Sequence, residues 1–248
     1  MGDRLQKQRF EIKYRVNEYK VQEIRHFVSQ YLTLDPFGAT QADLSYSVHS
    51  LYVDSATMKT FHDTINGNRN RYKLRLRYYE NGADQPVYFE IKRRFDKVIA
   101  KKRAKVYRHV VADLLSGQMP TMDHLVEQTP EQLEALDHFC YLVNQIQARP
   151  KIHVAYRREA YELKGSNAVR VTMDREVTSE SVTGFHLRTQ MREPVSVFGD
   201  GVILELKFTN RYPIWLQELT QLFHLRQESA AKYVDGVVRI GPRRLMTA

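Results

Sequence analysis

Basic and apolar residues alternate along one segment in the first third of the chain. Four cations occupy every second position there: Arg71, Lys73, Arg75 and Arg77. Successive side chains of a β-strand point to opposite faces of a sheet, so this pattern predicts a strand with one cationic face. Arg and Lys bind phosphate oxygens, and Arg often does so through two parallel hydrogen bonds. The row therefore indicates a surface that binds a polyanion such as a linear phosphate chain.

Acidic residues accompany lysines at the same two-residue spacing in three segments. The pairs are Glu11 with Lys13, Glu90 with Lys92, and Glu205 with Lys207. A carboxylate among cations can be their ion-pair partner, which is the interpretation we favour for Glu90. It can also bind a hard cation such as Mg²⁺ or Mn²⁺, which takes oxygen ligands and shares substrate phosphates. For Glu11 and Glu205 the residues support both interpretations equally.

Other predicted strands carry charged rows of the same kind: Lys101, Arg103 and Lys105, and Arg170, Thr172 and Asp174. If helices cover the apolar faces of these strands, the charged faces converge on an interior. Cations enclosed there would repel one another unless an anion lay among them. The alternative is a sheet whose charged face meets water, and arginines of 71–77 in bulk solvent would support it.

The elements that position these rows are mostly strands joined as hairpins. Alternation and turn residues predict eight strands: Arg9–Val16, Ser47–Val53, Arg71–Glu80, Val87–Arg94, Val98–Val110, Lys151–Tyr161, Ala168–Asp174 and Val202–Phe208. Helical spacing of apolar residues predicts helices after Asn17, from Asp54 or Ser55 to Ile65, from Thr129 to Gln147 and after Pro213, with a last short segment at Ala230–Val237. This order favours an antiparallel α+β fold with a closed or strongly curved sheet.

The net charge of +9 is concentrated in one part of the chain. Residues 69–108 contain fourteen Lys or Arg against four Asp or Glu, so the remainder is close to neutral. A basic protein suits nucleic acid, an acidic membrane surface or polyphosphate as its partner. The local excess coincides with the cationic strand rows, which favours a linear phosphate.

Several classes of protein are excluded by what the sequence lacks. It has no P-loop, no protein-kinase motif and no His/Cys cluster with zinc spacing. It has no apolar run of the roughly 20 residues that span a membrane and no signal-peptide pattern at its N-terminus, so we expect a cytoplasmic location. Cys140 is the only cysteine, and its apolar surroundings predict a buried thiol rather than a catalytic one.

The charged motifs, taken in order, resemble the VTC domain, which is the polyphosphate polymerase domain of the vacuolar transporter chaperone complex. This family lies within the CYTH-like superfamily of triphosphate tunnel metalloenzymes. The matching segments span nearly the whole chain: Arg9–Tyr14, Ser50–Asp54, Tyr72–Tyr78, Phe89–Lys92, Lys101–Arg103, Tyr156–Tyr161, Val169–Asp174, Leu204–Lys207 and Ser229–Tyr233. In one departure, Ala231 precedes Lys232 where the family motif reads Ser-Lys-Tyr or Ser-Lys-Phe.

The resemblance implies a single domain over residues 1–248 that forms an antiparallel eight-stranded β tunnel (barrel) with flanking helices. It implies a metal-dependent polyphosphate polymerase, which transfers the γ-phosphoryl group of ATP onto a growing chain. The residues expected to be catalytic are Lys13, Arg75, Arg77, Arg158, Arg170 and Lys232. Lys92, Lys101 and Arg103 are implied to bind phosphate, and the strand rows add Lys73 and Lys207.

The resemblance also implies a metal ion, Mn²⁺ or Mg²⁺, bound by Glu205, and the pairing of Glu11 with Lys13 makes Glu11 a second candidate ligand. The expected partners are ATP and inorganic polyphosphate; nucleic acid is not expected, and a membrane protein is a candidate partner. Two other functions fit the same residues. One is a hydrolase of triphosphate or short polyphosphate, in which water attacks instead of phosphate. The other is a non-catalytic module that binds polyphosphate or RNA.

Overall fold

The computed structural model describes residues 9–96 and 98–246. Its strands, in chain order, are β1 (Arg9–Val16), β2 (Thr33–Leu34), β3 (Tyr46–Asp54), β4 (Asn70–Tyr78), β5 (Val87–Phe95), β6 (Val98–Val106), β7 (Arg149–Leu163), β8 (Ser166–Ser181), β9 (Val195–Ser196) and β10 (Val202–Thr209). The helices are α1 (Glu18–Val28), α2 (Pro36–Ala39), α3 (Lys59–Ile65), α4 (Val111–Leu115), α5 (Pro130–Gln145), α6 (Ile214–Leu222), α7 (Lys232–Ile240) and α8 (Pro242–Met246). The predicted features of the N-terminus before residue 9 lie outside the described residues.

The chain packs into two compact units, which are described one at a time. Among the described residues, the first unit comprises 9–46, 156–177 and 198–230, and the second comprises 47–96, 98–155, 178–197 and 231–246. The long strands β7 and β8 contribute residues to both units. That the whole chain acts as one domain stays a prediction.

In the first unit the strand order is β1-β10-β8-β7, and β2 pairs with β7. β10 is antiparallel to both β1 and β8, and Glu205 lies between Lys13 and Thr172 in this register. The apolar face of these strands packs under α1 and α6, whose buried residues include Ile24 and Leu219. The charged side chains of β1, β8 and β10 therefore share the opposite face.

In the second unit the order is β7-β3-β4-β5-β6, with the short β9 paired to β8. β4 is antiparallel to β3 and β5, and β5 is antiparallel to β6. The apolar residues of β4, β5 and β6 form a core with α4 and α5, in which Phe89 contacts Phe139 edge-on at a centroid distance of 4.9 Å. Cys140 belongs to this core, and burial raises the pKa of its thiol to about 12, so the prediction of a buried thiol is confirmed.

The prediction of an α+β fold with an antiparallel sheet of eight long strands and flanking helices is confirmed. Asn17 caps α1 as predicted, since its side chain accepts a hydrogen bond from the backbone N–H of Lys20 at 3.0 Å. Among the predicted boundaries that were wrong, β6 ends at Val106 rather than Val110, and β8 continues to Ser181 instead of ending at Asp174. The helix predicted to begin after Asp54 or Ser55 begins at Lys59. The enclosure of a tunnel by these strands stays a prediction. None of the helices in the described residues is long and apolar enough to cross a bilayer.

Candidate functional site

One buried carboxylate in the second unit collects four cations from neighbouring strands. Glu90 lies on β5, directly between Arg75 on β4 and Arg103 on β6. Its carboxylate accepts a hydrogen bond from Arg75 Nε at 2.7 Å and lies 2.6 Å from the Lys101 ammonium group. Arg103 Nε and Arg77 Nε lie 3.3 Å and 3.9 Å from it. These five residues are called the Glu90 cluster below.

The centre of the Glu90 cluster is buried, whereas the side chains of Lys101 and Arg103 reach the surface. Glu90 is 0% exposed, and the side chains of Arg75 and Arg77 are 16% and 10% exposed. Burial raises the pKa of Glu90, but the charges of Arg75, Arg77 and Lys101 outweigh it and hold that pKa well below its usual range. Arg and Lys side chains gathered on one face of a sheet in this way are groups that bind phosphate oxygens. The alternative of arginines in bulk solvent is wrong for Arg75 and Arg77.

Lys101 is the cation of this cluster whose charge is easiest to change. Burial of the ammonium group lowers the pKa of Lys101 to about 7; Glu90 opposes this shift, whereas Arg75 and Arg77 add to it. Although 43% of the side chain is exposed, its charged end contacts the fully buried Glu90. Near neutral pH, Lys101 is therefore divided between its charged and neutral forms.

Two stacked tyrosines support Arg75. Its Nη1 donates a hydrogen bond to the Tyr52 hydroxyl at 3.2 Å, and the Tyr52 ring stacks on Tyr233 with centroids 4.7 Å apart. Tyr233 donates a hydrogen bond to the carboxylate of Asp54 at 2.6 Å. That carboxylate is fully buried and also accepts backbone N–H groups from the first turn of α3. Tyr233 on α7 is thus bonded to β3, the strand whose Tyr52 also contacts Arg75.

Three lysines predicted to bind phosphate form the next row along the same face. Lys73, Lys92 and Lys101 lie opposite one another on β4, β5 and β6. The Lys73 ammonium group lies 5.7 Å from the centre of the Tyr233 ring. Lys232, the first residue of α7, is 9% exposed. The structure thus places the predicted residues of the second unit on β4, β5, β6 and α7.

A second cluster lies in the first unit, around Glu205. This carboxylate is 4% exposed, and it lies 2.8 Å from Lys207 Nζ, 3.4 Å from Lys13 Nζ and 3.8 Å from Arg158 Nη2. The Lys13 ammonium group is also 3.2 Å from Glu11. Burial lowers the pKa of Lys207, and the charges of Glu205 and Glu11 offset only part of that effect. These residues are called the Glu205 cluster.

Arg158 is fixed in this cluster by a second acid. Its Nε and Nη2 donate two parallel hydrogen bonds to the Asp174 carboxylate, each 2.7 Å long. Burial lowers the pKa of Arg158, but the charge of Asp174 outweighs it and raises the pKa well above the usual value. Bidentate pairing of this kind holds the guanidinium plane in one orientation. The sequence row gave Asp174 a place on the charged face, but its role as the partner of Arg158 was missed.

Arg170 lies on β8 and is paired with acids of its own. Its guanidinium group contacts Asp35 at 2.8 Å and Glu162 at 3.1 Å, and the Tyr46 hydroxyl donates a hydrogen bond to Asp35 at 2.9 Å. Two carboxylates thus balance Arg170, which lies directly opposite Lys207 of the Glu205 cluster on the neighbouring strand. A catalytic role for Arg170 stays a prediction. Asp35 was missed because it lies outside every strand row.

The predicted metal ligands can be tested against the oxygen atoms around Glu205. Within residues 9–96 and 98–246, no three or more His, Cys, Asp or Glu side chains converge on one point. Mg²⁺ is usually held by one or two carboxylates together with substrate phosphates, so fewer protein ligands suffice. Glu205 and Glu11 already share the Lys13 cation, and the buried Thr172 hydroxyl, opposite Glu205 on β8, has no hydrogen-bond partner among the described residues. This oxygen-rich donor set fits Mg²⁺ or Mn²⁺.

In both clusters, cations on one face of the sheet are held in place by buried acids. A sequence model of the family described as "VTC domain" matches residues 8–240. The chain belongs to the VTC domain family.

Two solved structures are similar to this chain. A Bacillus halodurans protein described as a candidate adenylate cyclase has 12% identity and a TM-score of 0.49, covering 89% of this chain and 92% of its own. A Pyrococcus horikoshii OT3 protein also has 12% identity, with a TM-score of 0.46 and coverage of 94% and 99%. Likeness at this level says nothing about activity.

Proposed function

We propose that this protein is a metal-dependent polyphosphate polymerase, which transfers the γ-phosphoryl group of ATP onto the end of an inorganic polyphosphate chain and releases ADP. The observation that carries the proposal is the Glu90 cluster, in which four cations surround one buried carboxylate. Membership of the VTC domain family supports it. The proposal treats residues 1–248 as one catalytic domain and places the reaction in the cytoplasm, where ATP is supplied.

In this reaction the protein positions ATP and the polyphosphate acceptor, and it neutralises the charge of their phosphate groups. A terminal phosphate oxygen of the acceptor attacks the γ-phosphorus of ATP, and the bond from that phosphorus to the bridging oxygen of ADP breaks. The charge that develops on the transferred group is matched by guanidinium and ammonium groups already fixed in place. Arg75 is held in place by Glu90 and Tyr52, so its side chain loses little conformational entropy when it binds a phosphate. Arg158, fixed by Asp174, has the same advantage.

A divalent ion, when bound, would neutralise phosphate charge, and Glu205 and Glu11 are the residues that would hold it. Lys13 and Lys207 flank the same carboxylates, so they would bind phosphate oxygens close to the ion. None of these side chains has to serve as a nucleophile, because the acceptor supplies the attacking oxygen.

The proposal is tested by incubating the full chain with ATP and Mn²⁺ or Mg²⁺ and measuring ADP, free phosphate and polymer. We expect ADP to form together with long polyphosphate. Formation of free phosphate without polymer would instead indicate a hydrolase. If neither polymer nor free phosphate rises above background, the protein is neither a polymerase nor a hydrolase.

Replacing a metal ligand separates an enzyme from a binding module. The variant Glu205→Gln should lose activity by at least roughly 100-fold, since even outer-shell partners of a metal commonly cost about 10- to 100-fold. Its affinity for polyphosphate without metal should stay the same or rise, because a negative charge is removed. The matched control is Glu134→Gln, which changes an exposed carboxylate on α5 that pairs with Lys102. Unchanged activity in Glu205→Gln would contradict the metal role.

A further inference from the structure

The charged face of β4 and β5 extends beyond the Glu90 cluster. Arg71 and Arg94 lie directly opposite one another, at the alternating positions that carry Arg75 on β4 and Lys92 on β5. A strand rises about 3.3 Å per residue, so Arg71 lies about 13 Å from Arg75 along the face. That distance exceeds the length of a triphosphate, whereas a long polyphosphate chain spans it.

Neither arginine of this pair is neutralised. Arg71 donates a hydrogen bond to the backbone carbonyl of Asn68, and Arg94 donates one to that of Asp96. Across residues 9–96 and 98–246, no carboxylate lies within ion-pair distance of either guanidinium group. Burial and the charge of Arg94 lower the pKa of Arg71, although an arginine keeps its charge at any physiological pH.

Like charges directly opposite one another on neighbouring strands are destabilising unless something lies between them. In the Glu90 cluster a carboxylate lies between cations of neighbouring strands and reduces their repulsion. No carboxylate among the described residues lies between Arg71 and Arg94. Both arginines retain N–H donors beyond those used on backbone carbonyls, and Arg94 is exposed. An incoming phosphate can therefore reach the pair and bind through two parallel hydrogen bonds.

We propose that Arg71 and Arg94 form a distal subsite for linear inorganic polyphosphate longer than a triphosphate. This inference rests on the proposed function, because it concerns the polymer made by the same protein. A chain held at the Glu90 cluster would extend along the lysine row to the distal subsite. The pair then raises the affinity for long chains alone, and it sets how many additions occur before the polymer dissociates.

The test compares binding of tripolyphosphate and of long-chain polyphosphate to the full-length protein. In the double variant Arg71→Gln/Arg94→Gln, we expect the Kd for long chains to rise roughly three- to thirtyfold, from the loss of two charge contacts. The Kd for tripolyphosphate should change by less than about twofold by the same reasoning. In the polymerase assay, the double variant should release shorter polymers than the wild type does.

A matched control removes the same charge from the opposite face of the same strands. Arg93 and Lys102 lie on that face, where Arg93 bonds to Asn70 and Lys102 pairs with Glu134. The variant Arg93→Gln/Lys102→Gln should bind both ligands as the wild type does, because these side chains point away from the charged face. Far-UV circular dichroism and thermal melting establish that both variants fold.

The outcomes separate this inference from the proposed function. Equal losses of long-chain affinity in the two double variants, or equal losses for both ligands in Arg71→Gln/Arg94→Gln, would overturn the distal subsite. Unchanged long-chain binding in that variant, beside a wild type that binds and polymerises, would also overturn it and leave the proposed function standing. A wild type that binds neither ligand would overturn the proposed function itself.

Discussion

At the scale of single residues, we expect polyphosphate binding to be coupled to protonation of Lys101. With a pKa of about 7, it is mostly neutral at pH 8 in the free protein. A bound polyanion favours the charged ammonium form, so binding raises this pKa. We therefore expect polyphosphate binding at pH 8 to take up as much as one proton. Isothermal titration calorimetry in buffers with different ionisation enthalpies measures this uptake directly.

The control for this prediction is Lys101→Arg, which keeps a cation that does not titrate. Its affinity for polyphosphate should be close to that of the wild type at pH 8, or higher, while the proton uptake disappears. Protons released by the ligand itself are common to both proteins, so the difference between them isolates Lys101. Equal uptake in both proteins would show that another group titrates.

Single residues also show how far the sequence predicted the site. The alternation of β4 placed Arg75 and Arg77 on one face, because the two-residue period of a strand is a local property. Glu90 lies on the same face of the sheet, because it occupies one of the matching alternate positions of β5. It therefore forms ion pairs with Arg75 and Arg103 on the neighbouring strands. By contrast, the pairing of Arg170 with Asp35 joins positions 135 residues apart, and no local pattern encodes such a contact.

At the scale of elements, a buried hydrogen bond helps to fix α7. Tyr233 donates to the Asp54 carboxylate of β3, which also accepts the backbone N–H groups of Thr60 and Phe61. Burial, together with the charge of Asp54, raises the pKa of Tyr233 well above its usual value, so the hydroxyl stays protonated and remains a donor. We expect Tyr233→Phe to destabilise the protein by about 1.5–3 kcal/mol, the contribution of one buried hydrogen bond to a charged acceptor.

Hydrogen–deuterium exchange locates the effect of that substitution. Amides of Lys232–Ile240 should exchange faster in Tyr233→Phe, whereas those of α5 should not change. Tyr141→Phe is the matched control, because Tyr141 is 59% exposed on α5 and its hydroxyl faces water. Slower exchange in α7, or equal destabilisation by both substitutions, would contradict the role of Tyr233.

The elements that the sequence misjudged share a physical cause. β8 continues past Asp174 although Glu176 has a φ of 53°, a backbone conformation that interrupts the alternation of charged and apolar residues. β6 stops at Val106 because the Tyr107 N–H bonds to the His124 carbonyl instead of a neighbouring strand. At α7, the N-cap is Ala231, where the family motif has a serine, and Asp235 accepts the backbone N–H of Ala231 at 2.7 Å. Each of these features depends on contacts or dihedral angles that residue types alone do not specify.

At the scale of the whole molecule, the charge distribution couples stability to polyanions. The net charge is +9, and in each unit cations crowd around a buried carboxylate. Such an arrangement opposes folding through self-repulsion, which a bound anion relieves. A ligand that binds only the folded protein stabilises it by about 2.7 kcal/mol at one hundred times its Kd. Tripolyphosphate should therefore raise the Tm substantially, even without a divalent metal.

This stabilisation should depend steeply on salt, because much of the attraction acts between charges that ions screen over about 8–10 Å. Differential scanning fluorimetry with a fixed excess of tripolyphosphate should show the rise in Tm shrinking between low and high concentrations of sodium chloride. Sulfate at matched ionic strength is the control, since a compact divalent anion reaches fewer of the fixed cations than a triphosphate does. A rise that is the same for both anions, or that does not change with salt, would mean that general ionic strength stabilises this protein and that its basic clusters do not bind a phosphate chain.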